Sequence, residues 1–236
     1  MNSDILSAIR NDLYQKMDEK RKNSGQRFFK EDVKLYGVEA SAVREIAKRY
    51  FREIKDSDKK EIFSLCETLL ESDFIEEAAI AFEWTYYLRK KYEPSDFYIF
   101  ERWIQSYVNN WAKCDTFCNH TIGSYIEQYP DYMQNIKDWA RSENMWLRRA
   151  SAVSLIIPAR NGKFLRDILE ISDILLGDKE DLVQKGYGWM LKEASKKHQE
   201  EIFDYIMKNK RDMPRTALRY SIEKMPENLR KRAMEK

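Results

Sequence analysis

The sequence predicts an all-α protein of stacked helix pairs, and three observations predict it. Only seven glycines and five prolines punctuate the 236 residues, so long stretches run without a breaker. Between them apolar residues recur with helical rather than alternating spacing, as in "EEAAIAFEWTYYLRKK" and "LVQKGYGWMLKEASKK". Finally, Ala42, Ala78, Cys114, Ala150 and Gly186 are spaced by 36 residues and all are small, while Trp103 and Trp139 keep the same interval.

A period of this length belongs to paired antiparallel helices stacked into a solenoid, where a small residue lets neighbouring inner helices approach closely. Identities between repeats are otherwise poor, so the expectation is an irregular, HEAT-like array. In chain order, outer helices are expected at "KKEIFSLCETLLES", "SDFYIFERWIQSYV", "PDYMQNIKDWARSE", "KFLRDILEISDILLG" and "QEEIFDYIMKNK". Inner helices are expected to start near Ser41, Asp73, Asn110, Asn144 and Asp178, residue types whose side chains accept the free N–H groups of a first helical turn. Residues 19 to 30, "EKRKNSGQRFFK", read as an exposed loop, and "MPENLRKRAMEK" as a basic helical tail. No linker or low-complexity tract divides the chain, so residues 1–236 are expected to form a single repeat domain.

At 43% hydrophobic and 13% aromatic residues, the chain has ample apolar surface for a packed core, which excludes a disordered class. The apolar run "SAVSLIIPA" is far too short to span a bilayer. The first residues carry charges where a signal peptide needs an apolar stretch. These features predict a soluble, cytoplasmic protein without a membrane segment. Three cysteines, an odd number, read as free thiols of a reducing compartment. Net charge is only +2, from 42 basic and 40 acidic residues, so a polyanion would have to be recognised by segregated charge.

Such segregation is visible in the repeat phase. The position before each small residue reads Glu77, Lys113, Arg149 and Lys185, with Arg148 beside Arg149. Three successive repeats thus place a cation at one phase, a stripe able to follow a phosphate backbone; the same charges also fit an ordinary solvated face. Trp111 and Asp115, in "NNWAKCDT", lie four residues apart and hence on one face of an inner helix. Trp189 follows Lys185 by one turn. Asp115 sits mid-helix, outside any N-cap, where a half-buried carboxylate needs a partner or a task; Arg149, on the neighbouring repeat, is the natural partner. "CDTFCNH" lacks a fourth zinc ligand, and neither a Gly-rich phosphate loop nor a nucleophile elbow occurs. No metal and no small-molecule cofactor is expected.

"NNWAKCDT", "WLRRASAV" and "VQKGYGWMLKEASK", in this order on a HEAT-like array, resemble the AlkD-type DNA alkylation repair glycosylases. The resemblance covers nearly the whole chain, from "QRFFKEDVKLYGVEASAVREIAK" onward. It implies a concave DNA-binding face, double-stranded DNA containing alkylated bases as the partner, and excision of positively charged N3- or N7-alkylated purines without a deep base pocket. It further implies that Trp111 and Trp189 flank the deoxyribose of the damaged nucleotide, that Asp115 sits by the anomeric carbon, and that Arg149 holds the nearby backbone. On the stripe reading Arg148, Lys113 and Lys185 add phosphate contacts. Phe28 stands near a position where such proteins often carry tyrosine, and is expected to touch DNA. Lys113 and Cys114 depart from the residues expected between Trp111 and Asp115, and these departures bear on substrate preference.

The chemistry suits the residues. Cleaving an N-glycosidic bond to a cationic base builds positive charge on the sugar, which a carboxylate and aromatic faces stabilise. Asp115 can also orient the attacking water, and an already cationic leaving group needs no general acid. A monomer is expected. Two other readings stay open: a HEAT-like protein that binds damaged or branched DNA without catalysis, and a protein-binding scaffold.

Overall fold

The computed structural model describes residues 2–235. Apart from one backbone bridge between Lys34 and Phe74, every regular element among them is helical. Contacts divide the chain into two compact units, one up to Phe117 and one from Cys118.

In the first unit, α1 (Asn2–Gln15) and α2 (Glu19–Gln26) precede α3 (Ala40–Ile54), α4 (Lys59–Glu71), α5 (Ile75–Tyr87), α6 (Asp96–Tyr107) and α7 (Trp111–Phe117). Helices α3, α5 and α7 pack in succession as an inner row, while α4 packs on its inner partner α5 and on the next outer helix α6. Ala78 of α5 and Cys114 of α7 are buried, where small side chains let helices approach closely. The core behind them is aromatic: Phe117 stacks on Phe82 at 4.6 Å and meets Phe100 edge-on at 5.7 Å. Truncating one such fully buried ring costs about 3–5 kcal/mol. All three cysteines are buried, and burial pushes the Cys66 thiol up to about 12, which leaves it unreactive.

Three expectations for this unit need correction. Residues 19 to 30 are not a loop throughout, because α2 occupies 19–26. Asp18 caps it by accepting from the Lys20 and Arg21 N–H groups, and none of its residues is buried, so no apolar period betrays it. It is seated instead on Gly37, at φ +80, where a Cβ would stand 2.4 Å from the Asp18 carbonyl oxygen. Ser41 does not cap α3; Glu39 holds that position without a side-chain bond. Asp73 adopts the left-handed region at φ 67, one residue before the α5 cap position at Phe74. The segment before α3 is pinned to α5 by two buried carboxylates. Glu76 accepts from the backbone N–H groups of Tyr36, Gly37 and Val38 at 3.1, 2.8 and 3.2 Å, and Glu77 pairs with Arg10 at 3.0 Å and accepts from the Tyr36 hydroxyl at 2.8 Å.

The second unit opens with a π turn, Cys118–Ile122, followed by α8 (Gly123–Gln128), α9 (Met133–Trp139), α10 (Met145–Val153), α11 (Ile156–Arg160), α12 (Leu165–Leu175), α13 (Asp181–Ala194), α14 (Gln199–Asn209), α15 (Arg215–Ile222) and α16 (Glu227–Met234). Helices α10, α13 and α15 form its inner row, and α9 packs on α12 along the outer side. Asn144 caps α10 as expected, accepting from Trp146 N–H at 2.8 Å. Asp178 accepts from Glu180 N–H at 2.9 Å but stands before the cap position, which Glu180 holds. The α10–α11 break has a covalent cause: Pro158 has no N–H to give the Ser154 carbonyl. Gly123 uses the space, since a Cβ there would lie 2.9 Å from that oxygen. The basic tail forms α16, tied by Lys210 Nζ to the carbonyls of Arg232 and Glu235.

Candidate active site

Helix α7 starts where the Asn110 side-chain oxygen accepts from the Lys113 N–H at 3.0 Å, a cap that fixes the phase of the first turn. Trp111 and Asp115 then share one face, both half-buried. Trp111 is clamped. Its indole N–H donates to the Phe28 carbonyl at 3.2 Å, and Phe29 stacks on it with ring centroids 5.2 Å apart and planes 17° from parallel. Phe28 is itself 75% exposed, so the chain leaving α2 offers one ring to solvent while the next holds Trp111. Beyond Asp115 the chain passes from α7 into the π turn at Cys118, an irregularity often found near functional residues.

Lys113 corrects the stripe expectation. Its side chain is 1% exposed, with Nζ 2.5 Å from Asp73 Oδ1 and 3.0 Å from Asn109 Oδ1. Asn109 also donates to that Asp73 oxygen at 2.8 Å. Burial lowers the Lys113 pKa despite the opposing pull of Asp73. Burial works to raise the Asp73 carboxyl, yet the bonds from Lys113 and Asn109 hold it below its ordinary 3.8. Lys113 therefore ties the turn before α7 to the turn before α5. The reason is the packing of the seam: the residue before each small side chain still lies inside the contact between inner helices, so Glu77, Lys113 and Arg149 are all buried. Of the four positions on that line, only Lys185 is half-exposed.

In the second unit, Arg148 donates to Asp178 at 2.6 Å and to the carbonyls of Ser142 and Glu143 at 2.9 Å each. Arg149 lies beneath α13, its Nη1 donating to the Leu182 carbonyl. Gly186 of α13 lies over it, close enough that a Cβ there would make an ordinary contact of 3.5 Å with Arg149 Cγ. Lys185 pairs with Asp181 one turn earlier at 2.7 Å, and Trp189, one turn later, is half-buried. Trp111, Asp115 and Phe28 thus belong to the first unit, and Arg148, Arg149, Lys185 and Trp189 to α10 and α13 of the second. Two features escaped sequence reasoning. Phe29 left no signal beyond its place beside Phe28, whereas the Asp73–Asn109 contact has the visible repeat spacing of 36 residues.

Comparisons with known proteins agree with this architecture. A family described as DNA alkylation repair enzyme matches residues 9–225. A predicted DNA alkylation repair enzyme from Enterococcus faecalis superposes with a TM-score of 0.81 at 14% identity, over 90% of this chain and 98% of that one. The Pseudomonas fluorescens alkylpurine DNA glycosylase AlkC, bound to DNA containing an abasic site analog, superposes with a TM-score of 0.50 at 13% identity, over 94% of this chain and 61% of that one. No curated protein matches by sequence. Among the described residues no helix is long and apolar enough to cross a membrane. With the match extending over nearly its whole length, the chain belongs to the DNA alkylation repair enzyme family.

Proposed function

We propose that this protein is a DNA glycosylase that hydrolyses the N-glycosidic bond of positively charged N3- or N7-alkylated purines in double-stranded DNA. The observation that carries the reading is the shared face of Trp111 and Asp115, with the indole held by Phe28 and Phe29. The glycosidic bond breaks with its electron pair leaving on the base nitrogen, which neutralises the cationic base and removes the need for an acid. Positive charge then builds at C1′, where the Asp115 carboxylate and the Trp111 face stabilise it. A water adds to C1′ and gives up a proton, for which Asp115 is the acceptor. Trp189 is assigned to the same nucleotide and Phe28 to the flanking DNA. Arg148, Arg149 and Lys185 are assigned to the phosphate backbone, Arg149 only after leaving its buried place beneath α13. AlkC, a structural neighbour that is an alkylpurine DNA glycosylase and was captured on DNA with an abasic site analog, supports the choice of reaction.

The test is release of 7-methylguanine and 3-methyladenine from methylated duplex DNA. The parent protein should release at least one. Asp115→Asn keeps the shape and removes the charge, so DNA binding should survive while excision falls about a hundredfold or more, the scale of roughly 3 kcal/mol of lost electrostatic stabilisation. Full excision by a folded Asp115→Asn variant overturns the assignment.

A further inference from the structure

Helix α7 carries a cation inside the protein, close to where the proposed reaction builds positive charge. Lys113 stands two residues from both Trp111 and Asp115, which puts it about 200° round the helix from each. Its ammonium and the Asp115 carboxylate are thus on the order of 10 Å apart, across the body of α7. The Lys113 side chain is buried, so protein rather than water fills the space between. At an effective dielectric constant of about 20, an uncompensated charge at that distance changes a rate or an affinity by about tenfold. For a cation forming at C1′ the sign is adverse.

The groups that hold Lys113 supply a single negative charge. Nζ meets two side-chain oxygens, Asp73 Oδ1 at 2.5 Å and Asn109 Oδ1 at 3.0 Å. These positions are one repeat of 36 residues apart, and the carboxylate is charged whereas the amide is not. The other charge acting on Lys113, that of Lys34, is positive. Glu71 lines the cleft of about 310 Å³ that opens over Asp73 and Asn109, but it is exposed, and water screens it. Asp73, 39% exposed, keeps hydration that the ammonium lacks.

The lysine serves the fold. It bonds Asn109, to which Asn110 donates at 3.0 Å, and Asn110 caps the first turn of α7. Such a staple brings a charge with it. We propose that Asp73 acts on the reaction through Lys113, as the counter-ion that cancels its charge, so that the cation forming at C1′ meets Asp115 without an opposing ammonium. Asp73 is thus a positioning residue, which sets the potential at the site without touching the reacting atoms. The proposal rests on the glycosylase reading.

Abasic-site analogues read that potential without excision. The full-length protein is titrated with duplex DNA in which a pyrrolidine replaces the sugar ring, its nitrogen at the C1′ position and protonated at neutral pH. The same duplex with a tetrahydrofuran there is neutral and similar in shape. The parent should prefer the cation by more than about tenfold, and Asp73→Asn should lower that preference by about tenfold. Asparagine tolerates the left-handed backbone at φ 67 as aspartate does, so this variant removes charge and keeps shape. Binding of the tetrahydrofuran duplex should change little. Asp73→Asn/Lys113→Met, with both charges gone, should restore the preference, whereas a merely structural pair leaves the double variant no better than the single one. Circular dichroism checks folding. If Asp73→Asn does not fold, Lys113→Met decides alone, since its preference should equal or exceed that of the parent. A smaller preference in Lys113→Met, none in the parent, no change in Asp73→Asn, or no recovery in the double variant overturns the counter-ion assignment. Excision of methylated purines with a preference indifferent to Asp73 sinks the counter-ion and leaves the glycosylase reading standing. A preference that follows Asp73 without excision does the reverse.

Discussion

The indole nitrogen of Trp111 lies 3.2 Å from the main-chain oxygen of Phe28, a hydrogen bond across 83 residues of sequence. It joins the first turn of α7 to the chain leaving α2, and the Phe29 ring completes the clamp. If orientation of Trp111 matters to the reaction, its support should matter too. Phe29→Ala removes a stacked pair worth about 0.5–1.5 kcal/mol. Excision should fall several-fold, up to about tenfold, less than for Trp111→Ala. Single-turnover rates on methylated DNA read this directly, and a Phe29→Ala rate equal to that of the parent shows that the clamp is only structural.

Lys113 and Lys185 should separate under salt. Lys185 is half-exposed, so Lys185→Ala should reduce the log–log salt slope of DNA binding by about 0.9. Lys113 is held by Asp73 and Asn109 inside the protein, so Lys113→Met should leave that slope unchanged. Its cost should appear in stability, at about 1–2 kcal/mol, since Asp73 keeps part of its hydration. A salt slope altered by Lys113→Met to the same extent as by Lys185→Ala contradicts the buried placement.

Two glycines on α13 should answer alanine with opposite signs. At Gly186 a Cβ finds ordinary contacts of 3.5 Å and longer, and alanine favours a helix by up to about 1 kcal/mol, so Gly186→Ala should be neutral or mildly stabilising. At Gly188 a Cβ would meet Tyr220 Cβ at 2.7 Å and the Ala217 carbonyl oxygen at 2.8 Å. Gly188→Ala should therefore destabilise by about 1–3 kcal/mol through overpacking between α13 and α15. Urea midpoints for the two variants check the sign.

Acid should loosen the fold through particular carboxylates. Arg102 holds Glu67 below its usual range. Burial opposes, but Lys196 and Arg160 prevail, in lowering Glu193; burial likewise opposes Lys113 and Asn109 at Asp73. Each folded-state value lies below that of the unfolded chain. Their stabilisation is thus fully present above the ordinary carboxylate values of 3.8 and 4.5 and is lost as pH falls through the lowered ones. Stability should be flat from neutral pH down to about 5 and then decline. Asp73→Asn should make that decline shallower, which thermal melts from pH 6 to pH 3 would show; an unchanged acid slope assigns the loss to other groups.

The sequence by itself determined what depends on local periodicity. Helical spacing fixed the class and the order of outer and inner helices, because an apolar stripe has to be buried wherever the helix sits. The 36-residue recurrence of small residues marked the seam, and Ala78, Cys114 and Ala150 are buried there. The four-residue step from Trp111 to Asp115 was legible for the same reason, since a helix alone puts both on one face. Tertiary structure decided everything that depends on what covers a face. Periodicity gives Lys113 a phase but not a neighbour, and its burial against Asp73 follows from a chain turn 40 residues earlier. Helix α2 buries no side chain and so leaves no apolar period; it stands on the Asp18 cap and on the close approach of Gly37. The clamp on Trp111 joins segments that are distant in sequence, and no spacing rule within one helix can announce such a contact.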